Sequence, residues 1–286
     1  MIKITETPRD GFQGLKSIVD TKLKTDYINA LLKCGFDTVE AGSFVSARAI
    51  PQMADTAEVL KNLNLKNSNT KIAVLAANKK GAMRAAGFQE VDKIFYPFSF
   101  SPTFLKKNLN TTIEEAEKTV DYIIDLTIKT GKEAVIFLSL AFGDPYGDPW
   151  HIDILYAWVE KFISKGLTGI PLADTIGNIE AKKINGVCRQ LVTQFPQVEF
   201  GLHTHAVKGK GAEKIDAAYK AGIRHFDTVL GGLGGCPMTG KEMISNLDLY
   251  ELIDYCNKNA IAHNLNLDNI KTAGKKLSKI ILTENF

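Results

Sequence analysis

Apolar positions along the chain follow two alternating periods. Short runs rich in β-branched and aromatic residues read as strands: "IKITET", "FDTVEAG", "KIAVLAA", "DKIFYPF", "AVIFLSL", "GIPLAD", "EFGLHTH" and "HFDTVLG". Between them, amphipathic spacing predicts helices over 25–35, 53–63, 80–87, 113–131, 152–166, 180–195 and 212–222. Several end in Lys or Ala followed by Gly, a common stop, and Thr112 with Glu115 forms a candidate capping box. Strand and helix alternating eight times within about 250 residues is the pattern of a (β/α)8 TIM barrel. A doubly wound sheet is the rival, but it calls for fewer strands and a Gly-rich first turn, and "ETPRDGFQG" is not G-x-G-x-x-G. The expectation is one catalytic domain over 1–286, with the barrel at about 1–250 and a short C-terminal helical cap at about 251–286. Such a cap suits a contact within a homo-oligomer, a dimer.

Composition narrows the classes. The 286 residues carry a formal net charge of +3 and no Lys/Arg run, which argues against nucleic acid or a membrane surface as partner. No apolar run reaches bilayer length, and "MIKITETPRD" lacks the apolar stretch of a signal peptide. Four scattered cysteines without a C-x-x-C pair read as reduced thiols in a cytoplasmic protein.

Barrel chemistry gathers at the C-terminal ends of the strands. There strand one runs into Arg9, Asp10 and Gln13, strand two carries Glu40, strand six Asp174, and strand seven His203 and His205. Strand eight runs into "GGLGGCP" with Cys236, and Asn246 follows. The polar load is lopsided, gathered on strands that adjoin in a closed barrel. Positions i and i+2 of a strand share a face, so His203 and His205 both point to the barrel axis. Asp10 lies two strand positions away and Asn246 beyond strand eight. Two imidazoles, a carboxylate and an amide oxygen suit six-coordinate Mg²⁺ or Mn²⁺ better than a closed zinc site. Arg9, beside them, is a fixed cation suited to a developing enolate oxygen. Cys236 is the one cysteine in a Gly-rich loop and a candidate mobile acid, whereas Cys34, Cys188 and Cys256 fall on helical patterns and read as core. Glu40 and Asp174 either orient the ligands or balance Arg9.

"PRDGFQ", "VEAGSFVS", "PQM", "LADTIG", "HTH" and "GGLGGCP" occur in this order across most of the chain. Together they resemble the 3-hydroxy-3-methylglutaryl-CoA lyase family within the metal-dependent DRE-TIM superfamily. The resemblance implies that Asp10, His203, His205 and Asn246 hold a divalent metal. It implies that Arg9 polarises substrate, that Glu40 and His203 serve the reaction, that Cys236 is a catalytic acid, and that Lys16, with Gln13 near it, contacts the CoA portion. The implied reaction splits 3-hydroxy-3-methylglutaryl-CoA, or a related 3-hydroxyacyl-CoA, into acetoacetate and acetyl-CoA. Three positions depart from the family pattern: Ala206 stands where Asp or Asn usually follows the second histidine, Val135 where an arginine is expected, and Asp144 where a second loop cysteine is common. Rival readings are a Claisen-condensing synthase of the same superfamily, a hydroxy-oxo-acid aldolase, and an inactive barrel kept as a binding partner.

Overall fold

Strands β1 (Lys3–Glu6), β2 (Thr38–Ser43), β3 (Lys71–Leu75), β4 (Lys93–Phe98), β5 (Glu133–Ser139), β6 (Gly169–Asp174), β7 (Glu199–Ala206) and β8 (His225–Thr228) pair in parallel in chain order. The ring closes where β8 meets β1, with Ile4 opposite Phe226 and Thr5 opposite Asp227. This is a (β/α)8 barrel, and closure removes the doubly wound alternative. The structure is a computed structural model that describes residues 1–234 and 244–284, with side chains described through residue 282. All eight expected strand segments form.

Helices α1 (Pro8–Gln13), α2 (Thr21–Leu31), α3 (Thr56–Lys61), α4 (Lys79–Ala86), α5 (Pro102–Leu109) and α6 (Ile113–Thr130) lie outside the first half of the barrel. The second half carries α7 (Ile152–Ser164), α8 (Ala181–Gln194), α9 (Gly211–Lys220) and α10 (Leu249–Lys258). A last helix, α11 (Leu267–Glu284), packs along α2. Thr112 caps α6 by accepting from Glu115 N at 3.3 Å, and Gly131 ends that helix at φ 66°. Apolar periodicity placed the start of α2 at residue 25, but Asp20 accepts from the backbone of Lys22 and Leu23 and starts it at Thr21. Neither α1 nor α5 was expected; each opens on a proline in its first turn, where the missing N–H costs nothing.

Most of the buried apolar surface lies between sheet and helices. Inside the barrel the apolar layer is thin: Ala73, Phe95 and Phe137, with Leu75 and Val135 against them. It separates two cavities. The larger, about 670 Å³, opens at the N-terminal mouth, where paired ions ring it, including Lys3–Glu199 at 2.7 Å and Lys93–Glu133 at 3.2 Å. In this architecture that end serves stability, and chemistry belongs at the other. The second, about 340 Å³, sits there.

Candidate active site

The turn after β1 is helical, so Arg9, Asp10 and Gln13 stand on one face of α1 rather than on the strand itself. Arg9 Nη1 reaches Asp10 Oδ1 at 3.2 Å and donates to Gln13 Oε1 at 2.9 Å, while Gln13 Nε2 donates to Asp10 Oδ1 at 3.0 Å. Glu40, on β2, pairs with Arg9 Nη2 at 2.8 Å. Arg9 and Glu40 are 8% and 1% exposed, so this pair is shielded from bulk water. Arg9 Nε is also buried and has no hydrogen-bond partner among the described residues.

On β7, Gly201, His203 and His205 alternate inward while Phe200, Leu202 and Thr204 face the helices. His203 and His205 meet edge to face, ring centres 5.3 Å apart. His203 Nε2 lies 3.5 Å from Asp10 Oδ2. One ligand atom from each of Asp10, His203 and His205 falls within 4.8 Å of the others, the only such His/Cys/Asp/Glu group among the described residues. Each ring is fixed through its far nitrogen. His205 Nδ1 is 3.1 Å from the Thr175 carbonyl, which can only accept, so Nδ1 carries the proton and Nε2 keeps its lone pair. His203 Nδ1 is 3.2 Å from Asp227 Oδ2, which turns Nε2 toward Asp10. His205 Nε2 is buried without a hydrogen-bond partner among the described residues. A buried lone pair left open beside a carboxylate and a second imidazole is what a divalent ion would satisfy. The residues fit the expected metal.

Asn246 enters by a different route. The two-residue strand β9 (Ser245–Asn246) pairs antiparallel with β7, placing Asn246 directly opposite His205. Its Nδ2 donates to the Leu233 carbonyl at 2.9 Å, so the atom it can offer an ion is the amide oxygen.

The charges are set by burial against these neighbours. Burial would push the Asp10 carboxyl up, but Arg9, His203 and His205 together hold it below the ordinary carboxylate range. Burial dominates at Glu40 and, despite Arg9, raises it to about 7. Burial opposes the charged form of His203, yet the Asp227 bond and the nearby carboxylates raise it above the usual imidazole value. His205, with burial and His203 both against protonation, is lowered.

Cys236 lies outside the described residues, but the stem leading to it does not. Glu6 Oε1 accepts from Leu230 N at 2.6 Å and Oε2 from Thr228 Oγ1 at 3.0 Å, anchoring the end of β8. Gly234 then packs on α1 at φ 80°; a Cβ there would lie 2.8 Å from Gly11 O and 2.9 Å from Asp10 O. Only glycine lets the stem lie against the Asp10 backbone. Lys16 is exposed just past α1 and does not line the cavity. Asp174 is not near Arg9: it bonds Thr204 Oγ1 at 3.0 Å and Lys214 Nζ at 2.6 Å on the outer side of the sheet. Of the departing residues, Val135 packs inside the barrel, Ala206 ends β7, and Asp144 accepts from Tyr146 N at 2.7 Å.

Sequence reasoning missed Asp227, Thr175 and Lys214. Asp227 was within reach, since "HFDTV" alternates and puts an aspartate inside the barrel. Thr175 acts through a carbonyl, which no side-chain pattern reveals.

Residues 2–276 match the HMGL-like family. A relative from Macaca fascicularis, named hydroxymethylglutaryl-CoA lyase, mitochondrial, is 33% identical over 96% of this chain and 83% of its own length. A human relative, named 3-hydroxy-3-methylglutaryl-CoA lyase, cytoplasmic, is 31% identical over 98% of this chain and 75% of its own. Among solved structures, an HMG-CoA lyase from A. baumannii in complex with coenzyme A and 3-methylmalate superimposes with a TM-score of 0.89 at 29% identity, covering 98% of this chain and 91% of that one. The Brucella melitensis HMG-CoA lyase gives 0.89 at 29%, covering 98% of each chain. The chain belongs to the HMGL-like family.

Proposed function

We propose that this HMGL-like protein is a metal-dependent carbon–carbon lyase that cleaves 3-hydroxy-3-methylglutaryl-CoA, or a closely related 3-hydroxyacyl-CoA, to acetoacetate (or the matching β-keto acid) and acetyl-CoA. The observation that carries the reading is the convergence of Asp10, His203 and His205, with the open Nε2 of His205, beside the buried Arg9 guanidinium. In this reading Asp10, His203, His205 and Asn246 hold Mg²⁺ or Mn²⁺. A divalent ion, when bound, polarises the substrate hydroxyl and lowers its pKa. The hydroxyl passes its proton to a base of the site, Asp10 or a histidine, the C2–C3 bond breaks, and its electron pair passes into the enolate of the acetyl thioester. Arg9, permanently charged and held by Asp10, Gln13 and Glu40, faces that oxygen as its charge develops. Cys236, two residues past Gly234, which packs against the Asp10 backbone, supplies the proton that converts the enolate to acetyl-CoA. Lys16 and Gln13 are read as contacts to the CoA portion.

Part of the cavity lining is apolar, formed by Leu75, Pro97, Phe104 and Phe137. Such a lining suits the alkyl side of the acyl group and excludes water from the enolate. The related A. baumannii lyase is described with coenzyme A bound, which supports a CoA thioester as the substrate class. Relatives are named both mitochondrial and cytoplasmic; the three described cysteines, free and buried, accord with a cytoplasmic setting. No helix among the described residues is long and apolar enough to cross a membrane. The outer helix α11 is the surface we assign to a dimer contact.

The test is chelator-stripped protein given 3-hydroxy-3-methylglutaryl-CoA and related thioesters with and without Mn²⁺ or Mg²⁺. Equal amounts of acetyl-CoA and keto acid, formed only with metal, support the proposal. Turnover solely in the direction of acetyl-CoA plus a 2-oxo acid would move the protein to the condensing branch.

A further inference from the structure

Lys214 is a lysine that ought to be on the surface and is not. It lies on α9, only 7% exposed, and its ammonium points into the layer between helices and barrel. All three of its donors are used: Asp174 Oδ2 at 2.6 Å, Gly177 O at 2.7 Å and His205 O at 2.8 Å. Asp174 in turn accepts from Thr204 Oγ1 at 3.0 Å and, through Oδ1, from Gly177 N at 3.0 Å. One cation therefore joins the end of β6, the turn that follows it and the end of β7.

That turn is the seat of His205. Thr175 within it gives the carbonyl that accepts from Nδ1. Gly177, at φ 77°, packs so closely that a Cβ would lie 2.6 Å from His205 Cβ. The Thr175 hydroxyl also accepts from Leu140 N at 3.1 Å, and Leu140 is held at φ 60°, a backbone region that leucine rarely adopts. Such strain persists only where surrounding bonds over-determine the geometry.

We propose that Lys214 is a positioning residue for the metal centre. Its ammonium locks the 174–177 turn against β7, so that Thr175 holds the His205 ring with Nε2 aimed at the ion. Lys214 touches neither ion nor substrate and acts through His205. The role rests on the metal centre proposed above.

Mn²⁺ affinity of metal-stripped protein, measured by calorimetry and by the Mn²⁺ electron paramagnetic resonance signal, tests it without reference to turnover. Lys214→Met keeps the aliphatic stem and removes the ammonium; its Kd for Mn²⁺ is expected to rise at least tenfold, about 1.4 kcal/mol, within the range found for residues behind a metal ligand. The double variant Asp174→Asn/Lys214→Met leaves no unpaired buried charge, which favours a folded product. It is expected to bind Mn²⁺ at least tenfold more weakly too, because neutral side chains cannot restore the three-way clasp. Thermal melts without metal establish that each variant is folded. A folded single or double variant that binds Mn²⁺ within twofold of the native protein overturns the proposal and leaves Lys214 a stabiliser only. Failure of both variants to fold overturns it as well, since Lys214 would then determine the fold rather than position a ligand. Native protein that binds no Mn²⁺ would refute the metal centre itself, and this role with it.

Discussion

Replacing Arg9 by Gln removes the cation and leaves a shorter, neutral polar side chain. A charge developing about 4 Å from the guanidinium interacts with it by about 4 kcal/mol at an effective dielectric of about 20. Asp10, 3.2 Å away, and Glu40, at 2.8 Å, offset part of that, although Glu40, with a pKa of about 7, is only partly ionised at neutral pH. We therefore expect the Arg9→Gln variant to lose about 2.7–4 kcal/mol of transition-state stabilisation, a fall in kcat of about 10²–10³. Breaking a buried ion pair usually costs stability because it strands a charge. Here Glu40, already raised to about 7, takes up a proton instead, so the variant is expected to fold. The assay is steady-state acetyl-CoA release, with Mn²⁺ affinity measured on the same samples. The expected split is a large loss in kcat with KM and Mn²⁺ affinity changed by no more than about threefold. Loss of Mn²⁺ binding, or a kcat within tenfold of native, would refute the assignment of Arg9 to the enolate.

Metal affinity is expected to climb with pH through the raised pKa of His203, because a protonated imidazole must lose its proton to become a ligand; calorimetry in buffers of different ionisation heat should detect proton release at low pH. No proton release at any pH would remove His203 from the ligand set. Glu6, fully buried and raised by burial to about 8, binds a proton more tightly folded than unfolded. Its contribution is therefore complete below about pH 4.5 and falls away as pH rises toward about 8, a span worth at most about 5 kcal/mol. Glu6→Gln should flatten that slope in metal-free melts, and an unchanged slope would place the linkage elsewhere. Alkylation or oxidation of Cys236 should stop turnover, with reduction reversing the oxidative loss. Near-full activity in Cys236→Ser would demote that thiol to a packing role.

The strands were legible because a buried parallel sheet writes continuous apolar runs, as in Ala134–Leu138 on β5. The candidate ligands were legible for a simpler reason: His203 and His205 are two apart on a strand, and closure brings Asp10 to them from a known direction. What escaped notice acts through backbone or through packing. Thr175 contributes a carbonyl. Lys214 reads in sequence as one more charge on an amphipathic helix, and only the rotation of α9 against β7 turns it inward. Of the two roles open to Asp174, its bond to Lys214 favours orienting the ligands over balancing Arg9. The short helix α1 stayed hidden because six residues carry no period, yet it decides that Arg9, Asp10 and Gln13 share a face.

Quenching of the enolate leaves a mark in the product. Cleavage of 3-hydroxy-3-methylglutaryl-CoA in D₂O, with Mn²⁺ present, should yield acetyl-CoA carrying one deuterium in its methyl group by mass spectrometry. Acetyl-CoA that forms without deuterium, or no acetyl-CoA from any thioester tried, would contradict it.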